Sequence, residues 1–231
     1  MKSEPRCAEC PAFALGVFGA LPAKERKNLD RIKVSHLYHA GEILFNEGNE
    51  PREVFFLREG RIKISKSGLH GEEVMLRLLG PGAIIGYRPL LAGEPYAATA
   101  EAVEPSLVCS IAAQRFIGLI RGFPDLALRI LEELARELRV SEEELLIRTL
   151  EPVPRRAARL ILWFLDSRPE GAGPPQFTVP VPRADLAGMI GTAPETLSRT
   201  LQDFTRAGLL EVEGRRFRVL DLDALRNLAD G

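Results

Sequence analysis

The pattern of apolar and polar residues along this 231-residue chain changes twice. Between residues 34 and 111, short alternating or apolar runs are separated by glycines, which predicts short strands in a small antiparallel barrel or roll. From residue 112 to residue 150 the apolar spacing becomes that of a helix, and Pro152 and Pro154 then end the helix at a hinge. With 45% hydrophobic residues the chain is long enough for two cores, so we expect two domains.

Five segments carry the strand pattern of the roll. They are residues 42–45, 54–57, 61–65, 73–79 and 106–111. Before them, Phe13, Val17, Phe18 and Leu21 fit one face of a short amphipathic helix, and a polar stretch rich in Lys and Glu follows. We therefore expect a separate N-terminal segment ahead of the roll.

The stretch Thr192–Leu210 has the pattern of the second helix of a helix-turn-helix. Gly191, just before it, permits the left-handed residue that ends a preceding helix. Thr192 and Glu195 have the spacing of a capping box, and Pro194 lies in the first turn, where its missing N–H costs nothing. A new helix is therefore predicted to begin directly after the turn.

This predicted helix has one apolar and one polar face. Leu197, Leu201 and Phe204 can face a core, which leaves polar side chains where a major groove would meet them. A hairpin around Gly214 is predicted after the helix, as in a winged helix-turn-helix. The residues that we expect to contact double-stranded DNA are Thr192, Glu195, Ser198, Arg199, Gln202, Arg183, Arg215 and Arg216.

The long helix carries the spacing of a coiled-coil seam. Residues at intervals of 3, 4, 3 and 4 form this predicted dimerisation seam, namely Leu131, Leu134, Leu138, Ser141 and Leu145. The polar Ser141 and the acidic residues 142–144 weaken its C-terminal end. Leu126, Leu128 and Ile130 are expected to pack against the roll instead. The seam predicts a homodimer, although the same leucines could also be buried within one chain.

Charge alone does not indicate DNA binding. The formal net charge is −1, and six Arg and five acidic residues lie between residues 180 and 220. Because phosphate contacts usually dominate affinity, the prediction of DNA binding depends on the helix-turn-helix pattern. No apolar run approaches the roughly 18 residues of a membrane span, and the run 11–23 lacks the flanks of a signal peptide, so we expect no membrane association and a cytoplasmic protein.

Two small groups of residues suggest metal chemistry. Cys7 and Cys10 form a C-x-x-C pair, which is half of a metal site or, equally, two exposed thiols on a flexible tail. His36, His39 and Glu42 are similar to the ligands of a cupin-type metal enzyme. A spacing of three places the two histidines on opposite faces of a strand, so rim or surface histidines are the preferred interpretation.

The order of β-roll, long helix, hinge and winged helix-turn-helix resembles the CRP/FNR superfamily of bacterial transcription regulators over almost the whole chain. Residues 195–199, Glu-Thr-Leu-Ser-Arg, resemble the E-x-x-S-R recognition signature of the FNR branch, whereas the CRP branch has arginine at the position of Pro194. The resemblance implies that Glu195, Ser198 and Arg199 read an inverted repeat of TTGAT-like half-sites. It also implies RNA polymerase as a partner.

The resemblance also bears on the signal. Tyr87 follows Gly86, and Tyr96-Ala97 stands where cyclic-AMP-binding members have an Arg-Ser pair, so cyclic AMP is not the expected ligand. Cys7, Cys10 and Cys109 match three of the four ligands of the FNR-type [4Fe-4S] cluster, and the fourth ligand is not identified. Three alternatives remain: a cluster that senses oxygen or nitric oxide, a thiol switch without iron, or a small molecule or haem bound in the roll.

These inferences together predict an α+β regulator that is not an enzyme. Residues 1–30 form an N-terminal cysteine-bearing segment and helix. Residues 31–121 form a β-roll sensor domain similar to cyclic-nucleotide-binding domains. Residues 122–151 form the dimerisation helix, and residues 152–231 form the winged helix-turn-helix domain.

Overall fold

The computed structural model describes residues 6–68, 72–168 and 174–230. The chain forms two compact units, one reaching to Leu138 and the other beginning at Arg139. Both contain strands and helices, which confirms the expected α+β class. No helix in the described ranges is long and apolar enough to span a membrane.

The first unit contains both the roll and the helices around it. Its strands are β1 (Lys33–Tyr38), β2 (Ile43–Phe45), β3 (Glu53–Glu59), β4 (Ile62–Ser67), β5 (Glu73–Leu79), β6 (Ile84–Ile85), β7 (Thr99–Ala102) and β8 (Ser106–Ala112). Its helices are α1 (Pro11–Leu15), α2 (Ala23–Ile32), α3 (Tyr87–Ala92), α4 (Ala113–Gly122) and the first half of α5 (Pro124–Leu150). All five predicted strands are present, and β1, β6 and β7 are additional.

The strands form two antiparallel four-stranded sheets. Their orders are β1-β8-β3-β6 and β2-β7-β4-β5, as expected for a roll whose first and last strands pair. The pairing of β1 with β8 places Ser35 opposite Cys109. A cysteine near the end of the roll is thereby brought beside the strand that follows the N-terminal segment.

The N-terminal segment differs from the prediction of one amphipathic helix. The 3-10 helices Cys7–Glu9 and Val17–Ala20 flank the short α1, and the polar stretch that follows forms α2. Gly16 lies between α1 and the second 3-10 helix, and a Cβ there would lie 2.8 Å from the carbonyl oxygen of Gly82, so the position favours glycine. The predicted apolar face is nevertheless buried, and it packs into the core of the sensor unit.

Helix α5 has one set of buried and one set of exposed apolar side chains, and the predicted seam includes residues from both sets. Leu126 and Ile130 are buried in the sensor core, and the half-buried Leu134, which the sequence assigns to the seam, packs against the same core. Leu128, which was expected to pack inward, is exposed. Four exposed leucines at heptad-compatible spacing form what we call the exposed leucine stripe: Leu128 (56%), Leu131 (60%), Leu138 (61%) and Leu145 (67%).

The spacing of the stripe differs from that of the predicted seam. Positions 128, 131, 135, 138, 142 and 145 follow a 3, 4, 3, 4, 3 repeat, whereas Leu134 and Ser141 lie one position to the side. Ser141 is exposed but outside this repeat. The two registers share residues 131, 138 and 145 and differ only at 134/135 and 141/142, so the three shared leucines do not distinguish them.

The second unit is built on helix and aromatic packing. Its elements after α5 are α6 (Val153–Asp166), β9 (Gln176–Thr178), α7 (Arg183–Met189), α8 (Pro194–Arg206), β10 (Leu210–Glu213), β11 (Arg216–Val219) and α9 (Leu222–Asp230). The strands form an antiparallel sheet in the order β10-β11-β9. Phe164, Phe177 and Phe217 stack in nearly parallel planes with ring centroids 5.6 and 5.3 Å apart. This stack joins α6 to the sheet and supports α8.

Candidate functional site

The turn between α7 and α8 begins the candidate DNA-binding surface. Gly191 has φ +62°, the left-handed conformation predicted for it. The predicted capping box is wrong: α8 begins at Pro194, its N-cap is Ala193, and no side chain caps it. Because Pro194 takes the first helical position, Thr192 lies one residue before the N-cap and Glu195 falls at the second helical position.

The two faces of α8 are as predicted. Leu197, Leu201 and Phe204 are buried, and Thr200 on the same side donates a hydrogen bond to the carbonyl of Thr196. Opposite them, Glu195, Arg199 and Gln202 are exposed and Ser198 is half-buried. The carboxylate of Glu195 is not engaged in capping, so it remains available to a base edge.

The remaining predicted DNA contacts lie on neighbouring elements. Arg183 is the first residue of α7 and is half-buried, and Thr192 is half-buried in the turn. Arg215 and Arg216 are exposed in the hairpin between β10 and β11, where Gly214 has φ +59°. This hairpin is the wing that the sequence predicts.

The wing carries acidic as well as basic groups. Arg218 on β11 forms an ion pair of 2.5 Å with Glu211 on β10. Arg215 donates a long hydrogen bond of 3.4 Å to the carbonyl of Pro180. The side chain of Arg216 forms no ion pair or hydrogen bond with the described residues, so among the three wing arginines it is the one most available to bind a phosphate.

The three cysteines line one cavity in the sensor unit, although they are up to 102 positions apart in the chain. Its wall is largely apolar, with the cations Lys33 and Arg58 at its edge. The apolar residues that line it include Phe13, Phe18, Leu29, Phe56, Leu57 and Ile111. The hydroxyl of Ser35 lies 3.5 Å from Sγ of Cys109, so this thiol has a polar neighbour.

Cys7 is the most buried of the three, with 8% of its surface exposed. Its backbone N–H donates a 2.8 Å hydrogen bond to Oδ1 of Asp30 on α2. Burial, and after it the hydrogen bond and negative charge of Asp30, raise the pKa of the Cys7 thiol to about 12. Cys7 is therefore a neutral thiol at physiological pH, whereas metal ligation and nucleophilic chemistry require the thiolate.

An iron–sulfur cluster in this cavity would need ligand side chains that are grouped around one point. Within residues 6–68, 72–168 and 174–230, no three Cys, His, Asp or Glu side chains are grouped so that they could hold a metal ion. A cubane cluster takes four protein ligands, and the chain has three cysteines. As they are placed, these residues do not form a cluster site.

A second cavity of the roll is lined by residues 84–89 and 96–98 and by side chains of neighbouring elements. Tyr96 stacks on Phe45 with ring centroids 3.7 Å apart, and the Tyr96 hydroxyl donates to the carbonyl of Glu53. Arg77 and Arg88 line the same cavity, and both form ion pairs with Glu137 of α5, at 3.2 and 3.3 Å. The arginines are thus already paired with a carboxylate.

The residues considered as cupin ligands do not converge inside the roll. His36 and His39 are exposed, and only His36 belongs to β1. The carboxylate of Glu42 accepts a 2.7 Å hydrogen bond from the backbone N–H of His39. The described side chains therefore give the enzyme alternative no support.

The fold and the exposed face of α8 define a class: a DNA-binding transcription regulator with a sensor of the cyclic-nucleotide-binding type. Residues 35–122 match the family described as cyclic nucleotide-binding domain, and residues 155–228 match the Crp-like helix-turn-helix domain. The chain belongs to the CRP/FNR superfamily of transcription regulators. The matched relatives are regulators rather than enzymes.

Relatives from both branches of the superfamily are similar to the chain. It is 29% identical to the transcriptional activator protein FnrA of Stutzerimonas stutzeri, over 99% of this chain and 94% of the relative. It is also 29% identical to the cyclic AMP receptor protein of Thermus thermophilus, over 84% of this chain and 88% of the relative. Overall identity therefore does not decide which signal the chain senses.

Solved structures confirm the fold. The structure of FixK2 from Bradyrhizobium japonicum has a TM-score of 0.74 at 23% identity, covering 85% of this chain and 97% of that one. The Thermus thermophilus catabolite activator protein has a TM-score of 0.52 at 27% identity, covering 93% and 98%.

Proposed function

We propose that this protein is a homodimeric regulator of the FNR type that acts in the cytoplasm, together with RNA polymerase, and reads an inverted repeat of TTGAT-like half-sites. The observation that carries the proposal is the exposed face of α8, where Glu195 and Arg199 stand clear of the core with Ser198 between them. The names of the FNR-type relatives support the same branch.

The side chains on this face have the chemistry that the half-site requires. A guanidinium such as that of Arg199 donates two parallel hydrogen bonds to O6 and N7 of guanine. A carboxylate such as that of Glu195 accepts a hydrogen bond from the amino group of cytosine, and the short Ser198 fits either base. Two such helices about 34 Å apart would read half-sites one helical turn apart.

DNA binding by single-substituted full-length protein tests this assignment. Glu195→Ala and Arg199→Ala should each lower affinity for a TTGAT palindrome by roughly 10- to 100-fold, since a good bidentate pair contributes about 1–3 kcal/mol of discrimination. Binding to scrambled DNA should change little. Arg206→Ala, which removes an exposed arginine at the C-terminal end of the same helix that is not among the predicted DNA contacts, serves as the matched control. Unchanged sequence preference in both variants would disprove the assignment.

The sensor is proposed to respond to redox conditions through Cys7, Cys10 and Cys109, because these thiols line one cavity between the N-terminal segment and β8. Two chemistries use such a cavity. Oxidation of two thiols to a disulfide releases two electrons and two protons to an oxidant such as peroxide, and it needs no further protein ligand. An iron–sulfur cluster would supply sensitivity to oxygen or nitric oxide, but it would need the three thiols to move around a common centre and a fourth ligand.

Anaerobic purification followed by iron and acid-labile sulfide counts separates the two chemistries. Roughly four iron and four sulfide per chain would establish a cluster. Iron-free protein whose DNA affinity changes on peroxide treatment, and changes back with dithiothreitol, would establish thiol sensing. DNA affinity that is insensitive to oxygen, nitric oxide, peroxide and dithiothreitol would refute redox sensing.

A small effector in the roll is the second candidate, and one observation favours it. The hydroxyl of Tyr87 is buried beside the cavity that Arg77, Arg88 and Glu137 line, and it has no hydrogen-bond partner among the described residues. A ligand hydroxyl or carbonyl would satisfy it. Calorimetric titration with cyclic AMP, together with a screen of small polar metabolites, tests this candidate, and cyclic AMP is expected not to bind.

A further inference from the structure

Two arginines hold the turn of the helix-turn-helix. Arg156 on α6 is only 9% exposed, and its guanidinium points at the turn that separates α7 from α8. Its Nη1 donates to the carbonyl oxygens of Ile190 (2.5 Å) and Gly191 (3.3 Å). From the end of α5, Arg148 donates through Nη2 to the carbonyl of Met189 at 2.9 Å.

The same guanidinium also reaches the end of α5. Nη1 of Arg156 lies 3.4 Å from the carbonyl oxygen of Arg148, in the last turn of that helix. Carbonyl groups at a helix C-terminus lack intrahelical partners and carry partial negative charge. A single buried cation thus satisfies carbonyls from the end of α5 and the end of α7 together.

The turn is packed tightly against these side chains. A Cβ on Gly191 would lie 3.3 Å from Cδ of Arg148 and 3.4 Å from Nη1 of Arg156. Beyond the turn, Pro194 begins α8 only three residues later. The direction in which α8 leaves the turn is therefore fixed relative to the end of α5 by the two guanidinium groups.

We propose that Arg156, with Arg148, is a positioning residue that sets the orientation of the recognition helix relative to the C-terminal end of the dimerisation helix. The proposal rests on the proposed function in that α8 is taken to read DNA. It adds a physical route by which a displacement of the end of α5 would change the orientation of α8. All three contacts come from Nη1, so Arg156→Lys tests whether a single ammonium nitrogen at this position can replace the guanidinium.

The experiment compares full-length wild type with Arg156→Met, Arg156→Lys and the control Arg155→Met. Arg155 is the neighbouring arginine, and its side chain forms no hydrogen bond or ion pair with the described residues. Each protein first selects its preferred DNA from a random library, and affinity is then measured for that DNA and for scrambled DNA. Trp163, the only tryptophan, lies in α6 and reports unfolding of this unit by fluorescence.

A positioning role predicts a particular set of results. Arg156→Met should bind the wild-type-selected DNA about ten-fold more weakly or worse, since hydrogen bonds to a charged group are lost, and its affinity for scrambled DNA should stay within about two-fold. Arg156→Lys should keep the unfolding midpoint closer to that of wild type while losing part of the selectivity. Arg155→Met should retain the wild-type selectivity. If both Arg156 variants keep the wild-type selectivity and only unfold more easily, the residue is structural and the proposal is wrong.

Hydrogen exchange gives a readout that does not depend on the DNA sequence. The amides of Gly191 and Thr192 donate to the carbonyls of Gly188 and Ala187, both at 3.0 Å. They should exchange about ten-fold faster in Arg156→Met, while the amide of Val219 in the wing stays unchanged. Equal exchange in wild type and variant overturns the proposal.

The outcomes also separate this proposal from the DNA assignment. If wild type selects a sequence unlike TTGAT, the recognition assignment fails, but the difference between wild type and Arg156→Met on the selected DNA still tests the positioning role. If wild type selects nothing, the exchange rates decide. Should Arg156→Met fail to fold, Arg148→Met removes the bond to Met189 and the ion pair with Glu144 on the same helix, and it should give smaller changes in the same direction.

Discussion

The exposed leucine stripe gives a quantitative prediction for dimerisation. A leucine side chain contributes about 2 kcal/mol when it is moved completely from water into an apolar contact. Leu138 is 61% exposed in the single chain, so covering it contributes about 1.2 kcal/mol, and the two copies in a symmetric dimer contribute about 2.4 kcal/mol. Leu138→Ala should therefore raise the dimer dissociation constant by roughly 30- to 50-fold.

Sedimentation equilibrium over a dilution series measures this constant directly. The matched control is Val140→Ala, because Val140 is also exposed on α5 but lies two positions from Leu138, outside the heptad repeat of the stripe. The control should leave the dissociation constant within about two-fold of wild type, since its apolar contacts are not at the interface. A Leu138→Ala protein that dimerises as tightly as wild type would refute this role for the stripe.

Four further predictions concern single residues. Cys7 should be alkylated slowly at pH 8. Asp30→Asn should speed the reaction, because the carboxylate raises the pKa of this thiol. Equal alkylation rates in wild type and Asp30→Asn would contradict this prediction. The Cys7 thiol loses its proton near pH 8.5 in the unfolded chain, whereas its pKa in the folded protein is about 12. The free energy of unfolding should therefore fall as pH rises between these values. Cys7→Ser should remove this part of the pH dependence. Gly191→Ala should lower that free energy by about 1–2 kcal/mol, because φ is positive there, as measured through Trp163 fluorescence in urea. Glu137→Ala should cost about 1–3 kcal/mol, since it leaves two arginines unpaired, and calorimetry of the sensor transition checks it.

The recognition helix was predictable because its signals are local. Gly191, Pro194 and the apolar spacing of Leu197, Leu201 and Phe204 lie within 14 residues, and each constrains the backbone or one face of one helix. The capping box failed for an equally local reason. Helix α8 could begin at residue 193 or at residue 194, and the fixed φ of Pro194 favours proline as the first helical residue.

Features made by distant residues could not be read from the sequence. Asp30 reaches Cys7 across 23 positions, and Arg156 reaches Ile190 across 34. No spacing rule connects such pairs, because the contact depends on how helices pack rather than on the period of one element. The cavity that gathers Cys7 and Cys109 likewise depends on the pairing of β1 with β8.

Helix α5 combines a local sequence pattern with contacts to residues that are distant in the chain. One of its faces packs Leu126, Ile130 and Leu134 into the core that also holds Cys7, and Glu137 on the same side pairs with arginines of the roll. Its solvent-exposed side carries the exposed leucine stripe. Because packed cores rearrange between discrete arrangements rather than deform continuously, a change at the cysteine cavity that repacks this core must rotate or shift α5. The exposed leucine stripe lies on the same helix, so we expect such a change to alter the proposed dimer contact.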